Sequence, residues 1–307
     1  MRYINNIFRI EKCSINKITK KFQTPIFCYS QKKIKENIIF FKKNFESFSP
    51  IICFSTKSNS NLEIIKEIKR HGLCADVVSK GELMIALKAG INSKKIVFSG
   101  VGKTRTELSY AINKNILLIN CESESEALLV NNIGKRLKKH VSIGFRLNPN
   151  IDAKTHKKIS TGKAENKFGL SIKSFKSFLK KINSLKNIRL NALSVHIGSQ
   201  ILSETPFKRT LGVMQKLIME LKLNLNFVDF GGGFGISVPV SQYQDSTYVT
   251  DANGTTSGIK CSNLKYSTDT TAFIQGEGSD SVVSGIPNIA APLNIRFENS
   301  DAVRVQN

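Results

Sequence analysis

The feature that most constrains this chain is a rhythm. Seven short apolar runs occur at Ile51–Ser55, Ala75–Ser79, Ile96–Ser99, Ile116–Asn120, Val141–Leu147, Leu190–Ile197 and Leu225–Phe230. Between them lie amphipathic segments at Asn61–His71, Lys80–Ala89, Arg105–Asn113, Glu124–Leu137, Ile172–Ile182 and Phe207–Leu221. A strand buried on both faces reads as a continuous apolar run, and joining it to a parallel neighbour takes a crossover long enough for a helix. The rhythm therefore predicts a parallel sheet covered by helices. Polar and glycine residues gather just after the runs, where a (β/α)8 barrel keeps its active site. The expected fold class is α/β, a (β/α)8-type barrel with seven recognisable strand units and so incomplete, followed by a short β-rich tail. A doubly wound open sheet is the alternative, but it would need fewer units and a different place for the phosphate loop.

The rhythm stops at a glycine loop, Phe230-Gly231-Gly232-Gly233-Phe234-Gly235, and the composition changes after about Ser237. Of 46 Lys+Arg and 23 Asp+Glu, only Lys260, Lys265, Arg296 and Arg304 and seven acidic residues lie beyond it. The charge is thus +26 before the seam and −3 after it. The first part is rich in Lys, Ile, Asn and Phe, a bias that an AT-rich genome produces; the second is rich in Ser, Thr, Asn, Asp and Gly. Two regions are expected: a barrel at 1–237 and an unrelated β-rich segment at 238–307. Turn signals such as Asp251-Ala-Asn-Gly254 and Gly276-Glu277-Gly278 divide the second into short candidate strands, Tyr243–Val249, Ile259–Lys265, Thr271–Gln275, Ser281–Val283 and Asn294–Phe297.

The positive charge does not point to nucleic acid. Its lysines are spread along helix faces (Lys32, Lys33, Lys35; Lys66, Lys69; Lys135, Lys138, Lys139), as on a solvated surface. No transmembrane run and no leader pattern is present, so no membrane partner is expected. The six cysteines (13, 28, 53, 74, 121, 261) lack paired spacing and several sit inside apolar runs, which suits free thiols in a reducing, cytoplasmic setting and argues against a metal site.

Four features carry chemistry. Lys57 ends the run Ile51-Ile-Cys-Phe-Ser-Thr-Lys57, where a barrel lysine can lose its charge and act as a nucleophile; with 46 basic residues, a surface lysine is the plain alternative. His196, in His196-Ile-Gly-Ser199-Gln, could stack on a planar cofactor or move protons, and a structural histidine serves as well. Ser199 adds a donor suited to phosphate. Gly231–Gly233 lets backbone N–H groups converge on a phosphate, or makes a tight turn. A long polar loop, from Arg146-Leu-Asn-Pro149 through Asp152–Gly162 to Asn166-Lys-Phe-Gly169, is basic and hydroxyl-rich; long βα loops in barrels are usually functional.

Taken in order, these stretches resemble the fold-type III pyridoxal-phosphate decarboxylases, and within them the diaminopimelate decarboxylase family. The matching residues include Thr24-Pro-Ile-Phe-Cys-Tyr29, Phe54-Ser-Thr-Lys57-Ser-Asn59, Asp76-Val-Val-Ser79-Lys-Gly-Glu-Leu83, Val97-Phe-Ser-Gly100-Val-Gly-Lys103, Asn120-Cys-Glu-Ser123, Arg146-Leu-Asn-Pro149, Lys167-Phe-Gly169, His196–Gln200 and Gly231–Gly235. The loop Thr155-His-Lys-Lys-Ile-Ser-Thr-Gly162 favours that family over the ornithine and arginine decarboxylases. The resemblance implies that pyridoxal 5'-phosphate is the cofactor, carried by Lys57 and stacked on by His196. It implies that Ser199, Gly231, Gly232 and Gly233 hold the phosphate, and that Asp76 and Arg146 line the pocket. It also implies decarboxylation of meso-2,6-diaminopimelate to L-lysine, a small amino-acid substrate and a homodimer.

Past the seam the resemblance lapses. The family continues with an eighth strand ending in Glu-x-Gly-Arg, then a β domain with a Cys-Glu-Ser-x-Asp motif. Here Gly276-Glu277-Gly278-Ser279 offers a glutamate without the arginine. A barrel short of one strand is expected to leave two open edges and residues 1 to about 30 without partner strands, and a weak electron sink is expected to impair activity. The tail loosely resembles a β-rich viral structural segment (Asn288-Ile-Ala-Ala-Pro-Leu-Asn-Ile-Arg-Phe-Glu-Asn299), so a natural fusion or a joining of two reading frames would explain the seam. A non-catalytic cofactor-binding remnant, and a structural or interaction protein acting through the tail, are the competing functions.

Overall fold

In a computed structural model, residues 2–22, 24–152, 168–235, 248–250, 256–259 and 293–298 are described. Glu277, Cys261 and most of the tail strands named above lie outside them. The chain divides into two compact units, one made of Met1–Asn37 with Ile236–Ile289, the other of Ile38–Gly235 with Ala290–Asn307.

In the first unit, β1 (Arg2–Ile4), β2 (Ile7–Ile10) and β3 (Cys13–Ser14) form an antiparallel meander. The three pair with one another, and among the described residues no strand from elsewhere in the chain joins them. Ser14 caps the helix α1 (Ile15–Lys21) by accepting from the Lys17 N–H. Glu11 accepts from the Lys32 N–H and from Ser30 Oγ, and these bonds hold its carboxyl below the usual range. Helix α2 spans Gln31–Asn44.

The second unit carries the rhythm. β4 (Ile51–Ser55), α3 (Leu62–Arg70), β5 (Cys74–Val77), α4 (Lys80–Lys88), β6 (Ile96–Phe98), α5 (Arg105–Asn113) and β7 (Leu118–Cys121) follow in turn. Then come α6 (Glu124–Leu137), β8 (Val141–Asn148), the short β9 (Leu170–Ser171), α7 (Ile172–Ile182), β10 (Ile188–Val195), α8 (Thr205–Glu220) and β11 (Phe227–Asp229). The helices begin where side chains can cap them. Asn61, Ser79, Thr104, Ser123 and Ser171 each accept a backbone N–H of the first turn, and Thr104 with Glu107 closes a full capping box.

β4, β5, β6, β7, β8, β10 and β11 pair in parallel in that order. The remaining tail strands are β12 (Tyr248–Thr250) and β13 (Thr256–Ile259), an antiparallel pair in the first unit, and β14 (Leu293–Glu298). β14 lies between β11 and β4 and is antiparallel to both, with Val228 opposite Phe297 and Cys53 opposite Asn294. The two open edges expected from seven strands are therefore paired. The tail supplies the eighth strand, running opposite to the other seven. Unpaired backbone groups at a sheet edge are a template for extended chain, which is the physical reason a strand settles there.

The barrel interior is layered. Cys53, Cys74, Val97, Leu118, Ala192 and Phe227 form one apolar cluster. Two residues further along each of those strands stand Ser55, Asp76, Ser99, Asn120, Ser194 and Asp229. Successive strand residues alternate faces, so both layers belong to the same face, apolar below and polar at the C-terminal end. Outside, the fully buried Phe145 of β8 packs edge-on to Phe178 of α7 at 5.7 Å. Among the described residues, no helix is long and apolar enough to cross a membrane.

Candidate active site

The polar layer is one connected belt. Ser99 Oγ donates to Asp76 Oδ1 at 2.6 Å and Ser55 Oγ to Asp76 Oδ2 at 3.3 Å. Asn120 Nδ2 donates to Ser99 Oγ and, at 3.1 Å, to Asp229 Oδ2. Ser194 Oγ and the Gly231 N–H also donate to Asp229. Two buried carboxylates are thus held by donors from five strand ends, which is what lets them stay in the interior. Of these residues the sequence reading singled out Asp76 and Gly231. The signal that marks the others is the single polar residue closing each apolar run.

Every other candidate lies at this end of the barrel. Lys57 is exposed, in the turn Thr56–Ser58 just beyond β4. Arg146 is near the end of β8, and its guanidinium pairs with Glu122 at 2.9 Å. His196 follows β10, is half-buried, and its Nδ1 is 3.4 Å from the Gly232 N–H. The loop carrying Ser199 lies along the glycine loop, with the Ile201 N–H donating to Gly233 O at 2.9 Å and the Gly235 N–H to Ile201 O at 3.0 Å. Ser199, Gly231, Gly232 and Gly233 are therefore brought together. Gly231 and Gly233 have φ of +68° and +88°. A Cβ on Gly231 would stand 2.8 Å from His196 Nδ1, so these glycines permit both the backbone turn and the close approach of the two loops.

The electrostatics separate the groups. Burial, with the Arg146 and Lys57 charges adding to it, lowers the His196 pKa to about 3. The ring is neutral at physiological pH. Because the folded value lies below the unfolded one of about 6.5, this group costs nothing above pH 6.5 and destabilises the fold as pH falls towards 3. At pH 5 that penalty is about 2 kcal/mol. The expected result is that the His196 ring resonances show no protonation step between pH 8 and 5; an NMR titration centred near 6.5 would refute the burial. Burial raises the Glu82 carboxyl, the nearby Asp76 adds to this, and the Val78 N–H and Lys57 oppose it.

The site suits a planar, anionic cofactor. It offers a neutral imidazole, a cradle of backbone between two loops that any Cβ at Gly233 would fill, and a lysine at the rim. Two buried oxygens at the same end, Thr56 Oγ1 and Asn120 Oδ1, have no hydrogen-bond partner among the described residues. Residues 31–259 match the model of the pyridoxal-dependent decarboxylase, pyridoxal binding domain. The chain belongs to this family.

The pyridoxal-binding barrel is 38% identical over 234 residues to the diaminopimelate decarboxylase of Campylobacter jejuni, covering 75% of this chain and 58% of that protein. It is 36% identical to the diaminopimelate decarboxylase of Aquifex aeolicus, over 77% of this chain and 56% of that one. The crystal structure of the Helicobacter pylori enzyme complexed with L-lysine superposes with a TM-score of 0.70 at 36% identity, over 76% of this chain and 59% of that one. The chain thus spans under two thirds of the length of these relatives. The pyridoxal-binding family makes pyridoxal phosphate the cofactor of this barrel.

Proposed function

We propose that this chain is the cofactor-binding part of a diaminopimelate decarboxylase, acting on a small amino acid, meso-2,6-diaminopimelate, in the cytoplasm to give L-lysine and CO2. The observation that carries the reading is the convergence of Lys57, the neutral His196 ring and the paired Ser199 and glycine loops at one barrel end. When bound, pyridoxal phosphate supplies the electron sink that lets the α-carboxylate leave as CO2. Lys57 anchors the cofactor through Nζ, which must shed its proton to act as a nucleophile. The uncharged His196 ring presents a flat face without drawing a proton from the reaction. Ser199 Oγ and the backbone of Gly231–Gly233 receive the phosphate, while Asp76 and Arg146 line the pocket.

On the same reading turnover is slow, because residues 236–307 contain no Glu-x-Gly-Arg to place a carboxylate at the ring nitrogen. Borohydride reduction of the protein with pyridoxal phosphate is expected to leave a pyridoxyl group on Lys57, found by peptide mass spectrometry and absent in Lys57→Ala. A label elsewhere, or none, sinks the cofactor assignment. Rapid CO2 release from diaminopimelate would instead overturn the slow turnover alone.

A further inference from the structure

We propose that Glu122 is a positioning residue, a single carboxylate that ties Gly169 to the end of β8 and fixes the Arg146 guanidinium at the mouth of the barrel. Its two oxygens serve two different stretches of the chain. Oε1 accepts from Arg146 Nη1 at 2.9 Å, on the strand leading in. Oε2 accepts from the Gly169 N–H at 3.0 Å, where the chain returns. The Arg146 and Glu122 side chains are only 14% and 7% exposed, so solvent screens the pair weakly.

Two further contacts join the same stretches. The Phe168 ring lies under the Arg146 guanidinium, 5.0 Å from ring centroid to Cζ. Gly169 has φ of +75°, and a Cβ there would stand 2.8 Å from Arg146 O. Arg146 and Gly169 are 23 positions apart in the sequence, and holding two such separated residues together costs entropy that these contacts offset.

Glu122 is itself held. Its N–H donates to Glu126 Oε2 at 2.7 Å, and Glu126 pairs with the buried Lys103 at 2.8 Å. Lys103 Nζ also donates to Asn120 O, so the backbone on both sides of Cys121 is anchored. The carboxylate therefore stands on a rigid strand end, and the arginine it grips is one whose charge reaches His196.

Two variants take the clamp apart. Glu122→Gln keeps an oxygen for the Gly169 N–H and loses the charge that holds Arg146; Glu122→Ala loses both. Hydrogen exchange at the Gly169 amide is expected to stay slow in the first and to quicken at least tenfold in the second. The His196 ring should titrate above about 3 in Glu122→Gln, as it should in Arg146→Gln, and the double variant should match either single one. The last measurement, pyridoxal phosphate affinity by fluorescence, rests on the proposed role of Arg146: both single variants should weaken it about tenfold and the double no further. If Arg146→Gln leaves that affinity unchanged while exchange and titration behave as stated, the pocket role of Arg146 fails and the clamp stands. If Glu122→Gln leaves the His196 titration as in the parent protein while Arg146→Gln moves it, or if Glu122→Ala leaves Gly169 exchange unchanged, the clamp is overturned.

Discussion

Gly233→Ala is expected to cost about 3 kcal/mol of stability or more and to reduce pyridoxal phosphate affinity by at least a hundredfold. Gly233 has φ of +88°, where an L side chain is strained whatever space surrounds it. Space is lacking as well. The new Cβ would run into Gly198 O and stand 3.3 Å from Ser199 Cα. Both obstacles are backbone, and the two loops are tied by the bonds through Ile201, so neither can retreat without breaking them. Separating the loops also separates Ser199 from the glycine N–H groups that would share the phosphate. Gly212→Ala in α8 is the control: its Cβ meets nothing within 4 Å, and a helix gains about 0.5–1 kcal/mol from the exchange. Urea unfolding and a fluorescence titration of cofactor check both. A Gly233→Ala protein as stable as the parent would show that the loops are not locked together.

Lys103→Met is expected to lose about 3–5 kcal/mol. The ammonium is buried, with its side chain 1% exposed, and donates to Gly100 O at 2.6 Å, Asn120 O at 2.7 Å and Glu126 Oε1 at 2.8 Å. Methionine fills the space of the stem but leaves a carboxylate and two carbonyls short of a partner. The loss should therefore come from the group left behind rather than from the ion pair as such. Adding Glu126→Gln to Lys103→Met removes the stranded charge and is expected to recover part of the loss. Thermal or urea unfolding of the two singles and the double forms a cycle that measures this; a double variant no better than Lys103→Met would place the cost in the lost carbonyl contacts alone.

Much of the barrel is legible in the residues. Apolar runs of strand length at Ile51–Ser55 and Val141–Leu147 become β4 and β8 almost to the residue, and α5, α6 and α7 keep the bounds their periodicity gives them. Local forces set these elements: burial of both strand faces, one apolar stripe per helix, and a capping side chain at each start. The polar belt was half legible. Asn120 and Glu122 stand in a motif that the family resemblance marks, yet nothing in the motif says that Asn120 reaches Asp229 across 109 positions, or that Glu122 holds both Arg146 and Gly169. Those partnerships depend on the barrel curling until distant strand ends face one another.

The same division holds at the seam. By itself the sequence determined the seven parallel units, the place of the site at their C-terminal ends, and the residue types able to hold a phosphate and a planar ring. It did so because period, capping and strand-end chemistry are local. Only the tertiary structure decided that the His196 pKa is held low, since that depends on burial and on the charges of Arg146 and Lys57 from other strands. Only the tertiary structure decided how the barrel closes. Residues 293–298 read as one short strand among several, and nothing local in them names β11 and β4 as partners. Strand pairing satisfies backbone groups of any sequence, so the choice of neighbour belongs to the assembled sheet and not to the segment.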